Sequence, residues 1–182
     1  MLTNMDPPMH AHFREPLMAG FTPRKIGRLE GRVRQIVRQV LERAKLLMVE
    51  QGSVEFVHQV CSPVPTHVFG ELAGLPEEAW EPLHDMAASL TRSQDPDVVS
   101  GEEEKRNAGF DMVTYSIEFG QRRRAEPPRD DLTSLILDTE FNGTRLSDAD
   151  FGIFFSQFVV GGNETTVTLL SSGLQVLWRS IV

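Results

Sequence analysis

Between Phe151 and Trp178 the chain runs for 28 residues with a single charge, Glu164. No other feature constrains the fold so strongly. As one helix that run is about 40 Å long at ~1.5 Å per residue, enough to cross a whole domain. A helix apolar on every side must be buried, in protein or in lipid. Its start is marked. Ser147-Asp148-Ala149-Asp150 has the form of a capping box with Asp150 in place of the usual Glu or Gln, and Leu146 and Phe151 occupy the hydrophobic-staple positions.

Inside the run stands Gly161-Gly162-Asn163-Glu164-Thr165-Thr166. Two helical glycines cost roughly 1 kcal/mol each against alanine, and a buried carboxylate is costly without a partner. Glycine lets a flat or bulky ligand approach the backbone. Thr165 lies four residues after Gly161, so its hydroxyl can bond the Gly161 carbonyl and bend the helix there. An acid, Glu164, then stands beside an alcohol, Thr165, at a widened groove, an arrangement suited to delivering protons. The same residues argue against a transmembrane anchor, because a mid-bilayer carboxylate alone costs roughly 2.5–3.5 kcal/mol. No membrane partner is expected.

The remaining periodicity is helical. Ile26, Leu29, Val33, Ile36, Val37, Val40, Ala44 and Leu47 recur at three- and four-residue steps, with Arg28, Arg32, Arg34, Arg38 and Arg43 on the outer face and Gly52-Ser53 at the end. Further helices are predicted over about 65–72 with Gly74 as the stop, from Pro76 onward, over about 103–124, and over 131–139. The segment SQDPDVVSGEEE reads as an exposed connection, and Asn142-Gly143 as a tight turn. There is no sustained two-residue alternation. The fold class is mainly α.

Composition narrows the functions. Lys and Arg number 18 against 26 Asp and Glu, for a net charge of −8. No global positive field offsets a phosphate backbone, so nucleic acid is not an expected partner. The Arg24–Lys45 stretch, with 8 basic and 2 acidic residues, is a local exception. One cysteine, Cys61, excludes an intrachain disulfide and a multi-cysteine metal site. The N-terminus has neither a basic nor an apolar signal region, which gives a cytoplasmic expectation. His10 and Arg14 stand four apart and project from one helical face, where imidazole and guanidinium can clamp a carboxylate. Pro16 removes one backbone donor and crowds the His12 carbonyl, which predicts a kink or an early end to that helix. His58, His67 and His84 have no metal-ligand spacing.

The string Gly-Gly-Asn-Glu-Thr-Thr, after the apolar FGIFFSQFVV, resembles the oxygen-activating helix of the cytochrome P450 haem-thiolate monooxygenases. Asp6-Pro7-Pro8-Met9-His10-Ala11-His12-Phe13-Arg14, followed by Phe21-Thr22-Pro23-Arg24, is similar to that family's propionate-holding helix. The resemblance implies a central helical portion of the P450 fold, residues 1–182 forming one partial domain, with haem b as cofactor. It implies that Glu164 and Thr165 relay protons to iron-bound dioxygen. Gly161 and Gly162 then face the oxygen pocket, His10 and Arg14 hold the propionates, and Gln157 and Val160 touch substrate. It further implies oxygen insertion into a small apolar substrate, with electrons from a ferredoxin or reductase. The phrase around Glu164 resembles subgroups acting on steroids, terpenoids or branched lipids.

The sequence also departs from the family pattern. The family's N-terminal sheet and its cysteine-ligand loop have no counterpart among the 182 residues. Cys61, in Gln-Val-Cys-Ser-Pro, lacks the glycine-rich context of a haem thiolate and reads as structural, so the metal-ligand expectation is none. The expectation is a fragment that does not catalyse alone and that leaves the long helix with an exposed flank. The alternative is a helical binding module for an apolar ligand or partner, without chemistry.

Overall fold

The computed structural model describes residues 5–92, 102–141 and 143–181. Among these residues seven α-helices follow in order: α1 Met9–Leu17, α2 Pro23–Gln51, α3 Pro63–Ala73, α4 Trp80–Arg92, α5 Glu102–Arg124, α6 Leu132–Asp138 and α7 Asp148–Ile181. A two-stranded hairpin, β1 Glu140–Phe141 and β2 Thr144–Arg145, is the whole of the β structure among the described residues. Three short turns of tighter or wider helix, Met18–Gly20, Val57–Cys61 and Glu77–Ala79, link the α-helices.

The helix ends follow local chemistry. Thr22 caps α2 by accepting from the Lys25 amide, Pro23 takes the first turn, and Gly52 ends the helix at φ +75°. Gly74 ends α3 at φ +69°. Asp131 caps α6 by accepting from the Ser134 amide at 2.7 Å. At the start of α7, Ser147 Oγ accepts from the Asp150 amide at 3.1 Å and donates to Asp150 Oδ2 at 2.6 Å. The short Asp150 side chain thus takes the Ser147 hydroxyl proton, where a longer Glu would reach the backbone amide.

The early end expected at Pro16 is seen: α1 runs one residue past it, to Leu17, and passes into the tighter Met18–Gly20 turn. Leu17 is buried in the main core, with Phe13 packed against that core. One expectation needs correction. The helix expected over 65–72 begins earlier, at Pro63, because Pro63 occupies the first turn, where its missing N–H has no role. The connection at 93–101, and Asn142 of the tight turn, lie outside the described residues. Gly143 adopts φ +77°.

One main core unites Leu17, Ile36, Phe69, Trp80, Leu83, Met112, Phe119, Ile136, Phe151, Phe155 and Val159, among others. α7 lies against α5 most closely. A Cβ on Gly120 would collide with Phe151, and one on Gly152 would collide with Ile117. The two glycines therefore let the helix backbones approach. Arg123, 5% exposed, closes the lower end by bonding Asp131, Ser134 and Glu126, and so ties α5 to α6.

Candidate functional site

The arrangement around Gly161 follows from how α7 is turned. At 100° per residue, Phe155, Val159 and Asn163 share one face, and Phe154, Phe158, Gly161 and Thr165 share another. The first face is the core face. Phe155 meets Phe69 at 5.2 Å, Phe119 at 5.3 Å and Phe151 at 5.4 Å between ring centroids. The second face carries α1. Phe13 lies 6.1 Å from Phe154, and Phe21 stacks on Phe158 at 6.3 Å. The helix bearing His10 and Arg14 therefore covers the upstream part of the stripe on which Gly161 and Thr165 stand.

Beyond Phe158 the stripe is bare. A Cβ on Gly161 or on Gly162 would meet nothing within 4 Å. Thr165 donates its hydroxyl to the Gly161 carbonyl at 2.9 Å, and Thr166 does the same to Gly162 at 2.8 Å. The bond read from the spacing forms, yet the helix stays α-helical through it. The notch is thus made by missing side chains rather than by a break in the helix.

The other candidates are placed as follows. His10 is half-buried and Arg14 exposed, and neither side chain forms a hydrogen bond or ion pair with the described residues. Gln157 and Val160 are half-buried on the flank of α7. Glu164 is exposed and turns 100° away from Thr165, towards a cavity of about 170 Å³ lined also by His58, Ser62, Ala88, Asn163 and Val167. By the same periodicity Gly161 and Thr165 stand on the α1 side, Gly162 stands nearer the Phe155 face, and Glu164 stands at the border of the α1 side.

Sequence reasoning missed one polar pair at the motif. Thr66 on α3 donates to Asn163 Oδ1 at 3.0 Å, with Thr66 1% and Asn163 5% exposed. The signal was available in a polar residue next to the glycines on the core face of the helix, but its partner lies 97 residues away.

Cys61 is 2% exposed, and burial, with Glu55 nearby, pushes its thiol above the ordinary value. A thiol so held resists becoming the thiolate that binds metal. No group of three or more His, Cys, Asp or Glu among the described residues can hold a metal ion. No helix among them is long and apolar enough to cross a membrane. The basic face of α2 is largely neutralised: Lys25 and Arg28 pair with Asp130, Arg32 with Glu71 and Glu77, and Arg43 with Glu81.

In sequence and in fold the chain matches the helical portion of bacterial cytochrome P450s. The particular relatives are bacterial. The chain is 32% identical over 174 residues to the steroid C26-monooxygenase of Mycolicibacterium smegmatis, covering 96% of this chain and 39% of that protein. It is 26% identical over 175 residues to the methyl-branched lipid omega-hydroxylase of Mycobacterium tuberculosis, covering 96% and 40%. A Mycobacterium marinum cytochrome P450 solved with pseudoionone superposes at a TM-score of 0.83 with 28% identity, over 97% of this chain and 42% of that one. The chain spans about two fifths of the length of the curated relatives it matches. No protein-family model matches it.

Proposed function

We propose that residues 1–182 are one partial domain of a cytoplasmic haem monooxygenase whose whole protein inserts an oxygen atom from dioxygen into a C–H bond of a steroid or branched lipid. Electrons would come from a ferredoxin or reductase. The observation that carries the reading is the bare position of α7 at Gly161, on the side of the helix that α1 covers upstream, with Gly162 equally open next to it. The residues there fit a flat, carboxylate-bearing macrocycle. The glycines leave room for its plane, and His10 and Arg14 have hydrogen-bonding capacity that no described residue uses.

Bound there, haem supplies the oxygen chemistry. The chain's own residues position and deliver. His10 and Arg14 would neutralise and orient two carboxylates. Gly161 and Gly162 would set the distance of closest approach. Thr165 holds a proton on Oγ, now engaged with the Gly161 carbonyl, and can turn it towards the notch. Glu164, open to solvent, would resupply that proton through water, since its carboxyl stands on the neighbouring face. Phe158, Gln157 and Val160 would bound the apolar side. Cys61 does not fit the role of iron ligand, so the 182 residues alone would not catalyse.

The test is a haem titration of the 182-residue chain followed by absorbance. The reading expects saturable binding that Gly161→Leu abolishes, that His10→Ala with Arg14→Ala weakens about tenfold or more for two lost charge-assisted contacts, and that Leu177→Ala leaves alone. Binding indifferent to all three notch substitutions would sink it. Reduction under carbon monoxide is expected to give no thiolate-type band, and such a band would overturn the inactivity of the isolated chain.

A further inference from the structure

Asn163 is the last fully buried residue of α7. Every described side chain after it, from Glu164 to Ser180, is half-buried or exposed. It follows directly on the two residues of the helix that give packing nothing, Gly161 and Gly162. Upstream, Phe151, Phe155 and Val159 hold α7 through apolar contact, which attracts without fixing a direction. At Asn163 the hold is of another kind. Its Oδ1 accepts from Thr66 Oγ1 at 3.0 Å with both side chains buried, where both alignment and partner matter. Thr66 is itself fixed, since Phe69, one turn further along α3, packs edge-on against Phe155.

We propose that Asn163 is a positioning residue of the notch: clamped by Thr66, it fixes the direction in which α7 leaves the glycine pair. On the helical wheel Asn163 stands almost opposite both Gly161 and Thr165. Holding it against α3 therefore turns Gly161 and the Thr165 hydroxyl outward, to the side that bears α1. Without the clamp, the two glycines are the point at which the open half of the helix swings. The inference rests on the reading of that face as a cofactor notch, but its geometric claim is tested without haem.

The measurement is a spin-label distance between Arg38→Cys on the exposed face of α2 and Ser172→Cys on α7, in a Cys61→Ser background. Position 172 lies about 13 Å beyond Asn163, so a 20° swing displaces it by about 5 Å. The wild-type pair and Thr66→Ser, which keeps the hydroxyl, are expected to give one narrow distribution. Thr66→Val with Asn163→Leu removes both polar partners for apolar groups of similar size and so preserves the unfolding midpoint. It is nevertheless expected to broaden the distribution by about 5 Å. Thr66→Val alone, which strands the amide, is expected to broaden it too. Adding Gly161→Ala and Gly162→Ala to the apolar pair is expected to narrow it again, because alanines stiffen the swing point and meet no neighbour. A distribution that stays narrow in the apolar pair, or broad after the alanines, overturns the proposal. Haem titration of the same variants reports on the cofactor reading separately, so the failure of one is distinguishable from the failure of the other.

Discussion

The two halves of α7 are similar in composition and opposite in circumstance. From Asp148 to Asn163 the helix is held on several sides, with Phe151 and Phe155 at 0% exposure and Val159 at 1%. From Glu164 onward, Leu169, Val176, Leu177 and Trp178 are each at least 60% exposed. Both halves are apolar by sequence, so composition does not set their fate. What differs is the presence of facing helices: α5, α3 and α1 cover the upstream half, and among the described residues nothing comparable covers the downstream one. Apolar surface of that extent marks an interaction surface or an aggregation liability.

The comparison breaks most directly by truncating one side chain in each half. Phe155→Ala is expected to cost about 3–5 kcal/mol in urea unfolding followed by circular dichroism. Leu177→Ala should stay within about 0.5 kcal/mol. Equal losses would show that the downstream half is packed after all.

Glycines sharpen the same contrast. Gly152→Ala drives a methyl into Ile117 and the Val113 backbone, and should destabilise by about 1–3 kcal/mol. Gly161→Ala meets open space and should stabilise the chain by about 0.8–1 kcal/mol through helix propensity. The same unfolding curves read both, and a loss at Gly161 would mean that the notch is already filled.

The smallest effect is a pH dependence seated in α3, which anchors the upstream half. Burial pushes the His67 imidazole below its ordinary value, although Glu81 Oε1, 3.7 Å from Nε2, pulls it up. The folded state therefore binds this proton less readily than the unfolded state. The stability contribution is whole above the free-histidine value of about 6.5 and is lost as pH falls from there towards the lower folded midpoint. His67→Gln should flatten the acid limb in that window when unfolding is followed across pH. An unchanged limb would assign the dependence to other groups.

Much of the fold was legible because its signals are local. The steps of Ile36, Val40 and Ala44 and the stops at Gly52 and Gly74 each depend on neighbours within a turn or two. The notch was legible for the same reason, since Thr165 and Gly161 are one turn apart. The end of α1 just past Pro16 was legible too, since the missing donor of a proline acts within one turn. The pairing of the basic face of α2 was not legible, because its partners Glu71, Glu77, Glu81 and Asp130 come from elsewhere in the chain.

The sequence alone determined that α7 exists, that it is long, and that it carries two bare positions followed by an acid and an alcohol, because helical period and side-chain size are properties of the chain itself. Only the tertiary structure decided which way those positions look. The rotation of a helix about its own axis is set by what packs against it, here Phe69 and Phe119 on one side, Phe13 and Phe21 on the other, and Thr66 at the notch.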